Sequence, residues 1–263
     1  MIENNKTEIN SMDFQIEPGP ARRSSQLSSF KKPAKGLAEL FGHITSTYEL
    51  INHLLTFGLD YYWRHQAAQI ASSYGGSIWL DIGTGPGDMA RALARCSRHS
   101  PPILAIDFCW PMLSRLRKKK NRNSAIFPIQ AQAAQLPLKD NSVDLITVAF
   151  ATRNLFSSPE NLLNCWQEFY RVLKPDGVYI NLETSQPPHF LWRRAFHFYV
   201  KTMVKPLGHL ISGHRAAYSY LASSILRFMG AEELKALLLK AGFSRVEILY
   251  LTGGLVALHL AFK

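Results

Sequence analysis

Leu80-Asp81-Ile82-Gly83-Thr84-Gly85-Pro86-Gly87-Asp88 carries an apolar run into three closely spaced glycines and out again into an amphipathic segment. Glycine lets the backbone turn tightly and lets a ligand come close to the main chain. A strand that ends in such a bend and resumes as a helix is the opening unit of an open α/β sheet. In those sheets ligands bind beyond the carboxyl ends of the strands, where the strand order reverses.

The chain downstream repeats the alternation. Apolar runs at 77–82, 103–107, 125–131, 143–150 and 178–183 predict strands, and amphipathic stretches at 88–96, 111–120 and 159–173 predict helices. Pro111 stands near the start of the second helix, and Asp176-Gly177 predicts a turn. Strand–helix alternation gives βαβ units and a parallel sheet covered on both faces, which accounts for strands that are apolar throughout. A further helix at 231–240 ends at Gly242, and the runs 246–251 and 255–262 face each other across Thr252-Gly253-Gly254. The expected fold class is therefore α/β: a doubly wound, mostly parallel seven-stranded sheet with an antiparallel C-terminal edge hairpin.

Residues 36–263 are expected to form one domain, with helices over 36–72 ahead of the sheet. The stretch 187–230 is too long for a plain connection and predicts a helical insertion. Residues 1–35, polar and rich in Ser, Pro and Lys, predict a disordered basic tail.

At 263 residues and 47% apolar content the chain can bury a sizeable core. No apolar run is long enough for a membrane-spanning helix, and the N-terminus has no apolar signal core. Cys96, Cys109 and Cys165 fit no zinc spacing, and their odd number argues against a disulfide framework. The expectation is a cytoplasmic protein with reduced thiols and no metal. The net charge of +11 is spread over the tail, 115–122 and 193–215. It suits an anionic membrane surface, nucleic acid or an acidic substrate, and also a plain solvated basic face.

Two cofactors use a glycine bend of this kind. Dinucleotide sites place a pyrophosphate on G-x-G-x-x-G; here the pattern is G-x-G-x-G, with Asp81 before it and Asp88 after. Carboxylates repel a pyrophosphate and attract the sulfonium and ammonium of S-adenosylmethionine. Asp107, at the end of the second strand, suits the ribose hydroxyls of an adenosine. S-adenosylmethionine is the expected cofactor, with Asp81, Gly83, Gly85 and Asp107 as contacts.

Longer motifs lie outside the bend. Tyr48-Glu49-Leu50-Ile51-Asn52 is followed by Thr56, Phe57, Gly58 and Trp63, and Arg171-Val172-Leu173-Lys174-Pro175-Asp176-Gly177 leads to Glu183-Thr184-Ser185. Both resemble signatures of the quinone-biosynthesis C-methyltransferases, which methylate demethylmenaquinone or a ubiquinone precursor. Gln130-Ala131-Gln132-Ala133, Leu136-Pro137, Phe150-Ala151-Thr152-Arg153-Asn154, Tyr218-Ser219-Tyr220-Leu221 and the run from Leu251 to His259 are similar to the same family. The resemblance spans about 36–263. The chain departs from the signatures at Glu49, Ile51, Thr56, Asp60 and Asp176.

The resemblance implies the class I S-adenosylmethionine-dependent methyltransferase fold. It implies a prenylated quinol as substrate and further cofactor contacts at Pro86, Gln132, Ala133 and Ala149. Pro86, Gln132 and Ala149 stand where the family usually has Thr, Asn and Ser. Proline offers neither a hydroxyl nor an N–H.

Methyl transfer to carbon needs in-line geometry and a ring made nucleophilic by loss of a hydroxyl proton. Arg153 follows the fourth strand and is the expected catalytic residue, a guanidinium that stabilises a phenolate or orients a water; the alternative is a structural ion pair. Asn154 beside it is the second catalytic candidate, or a cap for the next turn. Tyr48 and Asn52, four apart on one helix face, line the substrate pocket or pack the helices. Asp60 and His53 are further base candidates, and His259, in an apolar strand, is expected to be a core histidine.

Aromatics interleave with cations over 189–214. This suits a lipid-tailed substrate at an anionic membrane, on the inner face, and would also suit RNA stacking or a core-covering helix. No added RNA-binding module is visible, so no nucleic-acid partner is expected; a homo-oligomer is left open. The competing readings are a methyltransferase acting on RNA or another small molecule, and a cofactor-binding homologue without activity.

Overall fold

A computed structural model of the chain describes residues Gly42, Thr45, 48–119, 125–155 and 159–263. The expected tail over 1–35 lies outside the described residues, as do most of 36–47 and part of the basic cluster at 115–122.

Five parallel strands form the centre: β1 (Trp79–Ile82), β2 (Ile103–Asp107), β3 (Ile126–Gln130), β4 (Val143–Ala149) and β5 (Leu173–Thr184). The hairpin β6 (Arg245–Leu251) and β7 (Val256–Phe262) completes a seven-stranded sheet in the order β3-β2-β1-β4-β5-β7-β6. β7 pairs antiparallel with both β5 and β6, across a 3₁₀ turn at Thr252–Gly254. The expected architecture is observed. Strand order reverses between β1 and β4, which puts the ligand crevice beyond the ends of those two strands. Pro128 sits inside β3, an edge strand, where its missing N–H breaks no inner ladder.

Helices cover both faces. On one, α2 (Leu59–Tyr74), α3 (Asp88–Cys96) and α4 (Trp110–Lys118) pack on the sheet. Ala67, Ala68 and Ala71 of α2 meet Ala90 and Ala94 of α3 in one buried cluster, small side chains that let two helices approach closely. On the other face, α6 (Pro159–Val172) and α10 (Ala231–Lys240) bury Trp166, Phe169, Leu234 and Leu238 against Ile82, Ile146 and Tyr179. Truncating one such aromatic to alanine costs about 3–5 kcal/mol.

The insertion is helical, as expected: α7 (Phe190–Tyr199), a π segment (Val200–Val204), α8 (Lys205–Ser212) and α9 (Arg215–Arg227). It packs against α1 (Tyr48–Leu55) through Ile51, Leu55, Val200, Val204, Ala217 and Ala222, a third core beside the sheet. A short helix, α5 (Thr152–Leu155), follows β4 directly. Among the described residues no helix is long and apolar enough to cross a membrane.

One local expectation is refined. Asp176-Gly177 makes its turn inside a strand rather than ahead of one. β5 already begins at Leu173, and Asp176, at φ 63°, forms a bulge opposite the register shift between Val143 and Leu145. Between those pairs β5 advances five residues while β4 advances two, so three extra residues loop out and both ends of the strand stay paired.

Candidate active site

The glycine bend leaves β1 at Ile82 and enters α3 at Asp88. Gly83 and Gly85 both lie at positive φ, 66° and 55°. Their surroundings differ. A Cβ on Gly83 would meet the Ala151 Cβ at 2.6 Å, whereas one on Gly85 would meet nothing within 4 Å. Gly83 is thus closed against the β4 turn, and Gly85 is the open side of the bend.

The acid facing that open side is Asp107. Its Oδ2 accepts the Gly85 N–H at 2.8 Å and its Oδ1 accepts the Cys109 N–H at 2.8 Å. Burial raises its pKa, and these backbone donors pull against the rise. The Ala131 N–H donates to the Asp107 carbonyl at 3.2 Å, so the segment after β3 is tied to the tip of β2. That segment brings Gln132, exposed, and Ala133, partly buried, to the same end of the sheet.

Asp81 does not face the open side. It is 1% exposed, with Oδ2 taken by the Thr84 hydroxyl at 2.6 Å and Oδ1 by the Thr147 hydroxyl at 2.8 Å. Burial pushes its pKa up to about 6. It fastens the bend from beneath. Asp88 is ion-paired with Arg91; burial works to raise its carboxyl, but Arg64 and Arg91 outweigh that and hold it below the ordinary range. The argument from two free carboxylates flanking the bend is therefore corrected: one is sealed and the other neutralised. Pro86 is buried, and its carbonyl accepts from Arg91 at 2.7 Å.

Arg153 stands in α5, just past the tip of β4. It is ion-paired with Glu183, which is 1% exposed, and its backbone N–H donates to the Glu183 Oε2 at 3.2 Å. Thr184 anchors the same carboxylate through its N–H at 2.8 Å and its hydroxyl at 3.0 Å. The structural ion pair and the position at the crevice thus coexist. Asn154 accepts from the Tyr220 hydroxyl of α9 at 3.4 Å. Ala149 ends β4 beside them, half-buried.

α1 roofs this cluster. Removal of water around the Tyr48 hydroxyl raises its pKa, while Arg153 and a hydrogen bond with Asn52 pull it down. Tyr48, Asn52, Arg153, Asn154 and Tyr220 are therefore gathered at one place. Glu49 clasps α1 to its neighbours by ion pairs to Arg91, Arg115 and Lys119. Beside the clasp a cleft of about 430 Å³ runs from Asp88 down the α2–α3 surface past Arg95, outside the crevice at the strand tips.

The remaining candidates are committed elsewhere. Asp60 accepts from the Thr56 hydroxyl at 2.9 Å and His53 Nδ1 at 2.8 Å and pairs with Arg64, which pins the α1–α2 corner. His259 is a core histidine: its Nε2 donates to the Ala231 carbonyl at 2.9 Å, and burial depresses its pKa to about 4. Glu183 and Tyr220 stand in the sequence only as motif positions. They are the partners sequence reasoning did not assign.

A family model, the ubiE/COQ5 methyltransferase family, matches residues 29–263. The chain belongs to this family. It is 33% identical over 226 residues to a demethylmenaquinone methyltransferase of Oceanobacillus iheyensis, covering 85% of this chain and 93% of that one. It is 35% identical over 240 residues to a ubiquinone/menaquinone biosynthesis C-methyltransferase of Geotalea uraniireducens, covering 89% of this chain and all (100%) of the relative. Among solved structures, human N-acetylserotonin methyltransferase in complex with S-adenosylmethionine shares the fold at TM-score 0.57 and 19% identity, over 90% of this chain and 61% of that one. So does an S-adenosylmethionine-dependent methyltransferase of Aquifex aeolicus, at TM-score 0.54 and 21% identity over 74% and 88%.

The chain is thus a methyltransferase and draws its methyl group from S-adenosylmethionine. Its residues fit that donor. Gly85 leaves the space a Cβ would fill, and Asp107 offers beside it a carboxylate whose oxygens each keep a lone pair for a ribose hydroxyl.

Proposed function

We propose that the chain methylates a ring carbon of a prenylated quinol, demethylmenaquinol first, in menaquinone or ubiquinone biosynthesis, on the cytoplasmic side of an anionic membrane. The observation that carries this reading is the gathering of Tyr48, Asn52, Arg153, Asn154 and Tyr220 just past the tip of β4, the strand next to the one that ends in the glycine bend. The names of the relatives favour the same substrate class.

Bound S-adenosylmethionine supplies an electrophilic methyl on a cationic sulfur. The protein's residues do the rest. Arg153, held by Glu183, stabilises the phenolate formed when the quinol hydroxyl passes its proton to solvent water. The ring carbon beside that oxygen then takes the methyl, a C–C bond forming as the S–CH₃ pair stays with the departing sulfur, and the proton on that carbon passes to water, which restores the aromatic ring. Tyr48 and Asn52 hold the hydroxyl edge of the ring, and Asn154, oriented by Tyr220, holds its other side. Positioning of this kind supplies much of the acceleration in group transfer.

The test is single-turnover assay of the full chain with S-adenosylmethionine and reduced quinol, read by mass spectrometry. Gain of one methyl on demethylmenaquinol supports the reading. Methylation of RNA, with no product from either demethylmenaquinol or a ubiquinone precursor, refutes it.

A further inference from the structure

The helical insertion breaks the usual rule for a helix laid on a globular protein. α7 buries none of its residues fully, and its surface is not polar. Leu191 is 67% exposed, Phe198 70% and Leu210 of α8 82%, with Trp192 and Met203 about half-exposed among them. A contiguous apolar surface of this kind marks a contact with something else.

A second stripe continues it. Leu50, Leu54 and Phe57 follow one another at helical spacing along α1 and its end, and Phe57 is 80% exposed. The Phe57 ring lies 6.0 Å from that of Tyr199, the last residue of α7, and the Tyr199 hydroxyl donates to the Leu55 carbonyl at 2.7 Å. The end of α1 and the end of α7 meet at these two residues, so the two stripes adjoin.

The charge of the insertion has a single sign. No Asp or Glu occurs between Glu183 and Glu232, while Arg193, Arg194, Lys201, Lys205 and Arg227 do. Arg194, Lys201 and Lys205 are exposed among the apolar side chains, and the Arg194 guanidinium lies 5.5 Å from the Phe190 ring.

We propose that the outer face of α7 and α8, continued by the Leu50–Leu54–Phe57 stripe, is a docking surface for an anionic phospholipid bilayer. Apolar side chains enter the acyl boundary while the cations meet phosphate headgroups, the arrangement of helices that lie in a membrane interface. Nucleic acid is a poorer match, because Leu50, Leu54, Leu191, Met203 and Leu210 give bases no plane to stack on. The face also adjoins the site. α1 carries Tyr48, and the insertion carries Tyr220, so the elements that would rest on the bilayer are those that roof the cluster. A long apolar tail could stay in lipid while its ring enters. That use of the face rests on the quinol reading; the docking itself does not.

The test is co-sedimentation of the full chain with phosphatidylcholine vesicles, with and without phosphatidylglycerol, and no substrate present. Binding is expected only with phosphatidylglycerol, weakened by salt, and about tenfold weaker in the double variant L191E/F198E. Neither position touches the cofactor loop or Arg153, so S-adenosylmethionine affinity should be unchanged, which also shows that the variant is folded. Absence of phosphatidylglycerol-dependent binding overturns the proposal. So does equal binding by the variant, which would assign the attraction to the basic N-terminal segment, and so does complete displacement of vesicles by RNA. Vesicle binding without turnover of any quinol sinks only the substrate reading.

Discussion

Asp107 and Gly85 are joined across the crevice: the carboxylate at the tip of β2 accepts the N–H at the open side of the glycine bend, at 2.8 Å. The sequence separates these residues by 22 positions, yet one hydrogen bond makes them a single device. The acid fixes the bend, and its remaining lone pairs are the ones we propose for the cofactor's ribose.

Replacing Asp107 with alanine therefore removes two things at once. The Gly85 and Cys109 N–H groups lose their acceptor, and so would the ribose hydroxyls of a donor bound as proposed. Affinity for S-adenosylmethionine should fall by about 1–3 kcal/mol, the usual penalty for polar groups left unpaired. Titration calorimetry reads it directly. Undiminished affinity would take Asp107 out of the site.

Arg153 makes a different demand. Its guanidinium is buried and paired with Glu183, which is itself almost wholly buried. Removing one member of such a pair leaves an uncompensated charge, at a cost of about 3–5 kcal/mol. Arg153→Ala and Glu183→Gln should both lower the denaturation midpoint. At a temperature where both remain folded, both should lower kcat far more than they weaken S-adenosylmethionine binding. A loss of stability with normal kcat would reduce the pair to a structural tie.

These partnerships show where the sequence was legible and where it was not. Strands declared themselves because a parallel sheet buries both faces, so β1, β2 and β4 are plain apolar runs. Asp176-Gly177 reads as a turn because those residue types favour one, and it is one; what no local pattern shows is that the turn interrupts a strand, since Val143 of β4 pairs with Leu173 ahead of it. Arg153 stood out by following a strand end, but its partner lies 30 residues on, and Tyr220 lies 66 residues beyond Asn154. No local period links them. The sealing of Asp81 is hidden for the same reason, since Thr147 comes from another strand. The Asp88–Arg91 pair, three apart on one helix, is readable from the sequence.

The two glycines of the bend should respond oppositely to alanine. At Gly83 the new methyl collides with Ala151, so Gly83→Ala should lower the melting temperature substantially. At Gly85 the space is open, and only the strain of a left-handed conformation remains, about 1 kcal/mol. Gly85→Ala should stay folded yet lose cofactor affinity, because its methyl occupies the approach to the main chain. Differential scanning calorimetry paired with cofactor titration separates the two. Equal affinity for wild type and Gly85→Ala would place the donor elsewhere.

Asp81 gives the chain a distinctive pH response. Its carboxyl is raised by burial to about 6 from an ordinary value of 3.8. A group raised in the folded state binds its proton more tightly there than in the unfolded chain. Its contribution to stability is complete below about pH 4 and is lost as pH rises through about 6. The loss amounts to roughly 3 kcal/mol at 1.36 kcal/mol per pH unit. Asp81→Asn has no proton to lose, so its stability should fall less between these limits, while the Thr84 and Thr147 hydroxyls rotate to suit the amide. Urea denaturation across that window is the measurement. Parallel stability curves for the two proteins would mean that Asp81 ionises at its ordinary pH and that the bend is not fastened by a buried carboxyl.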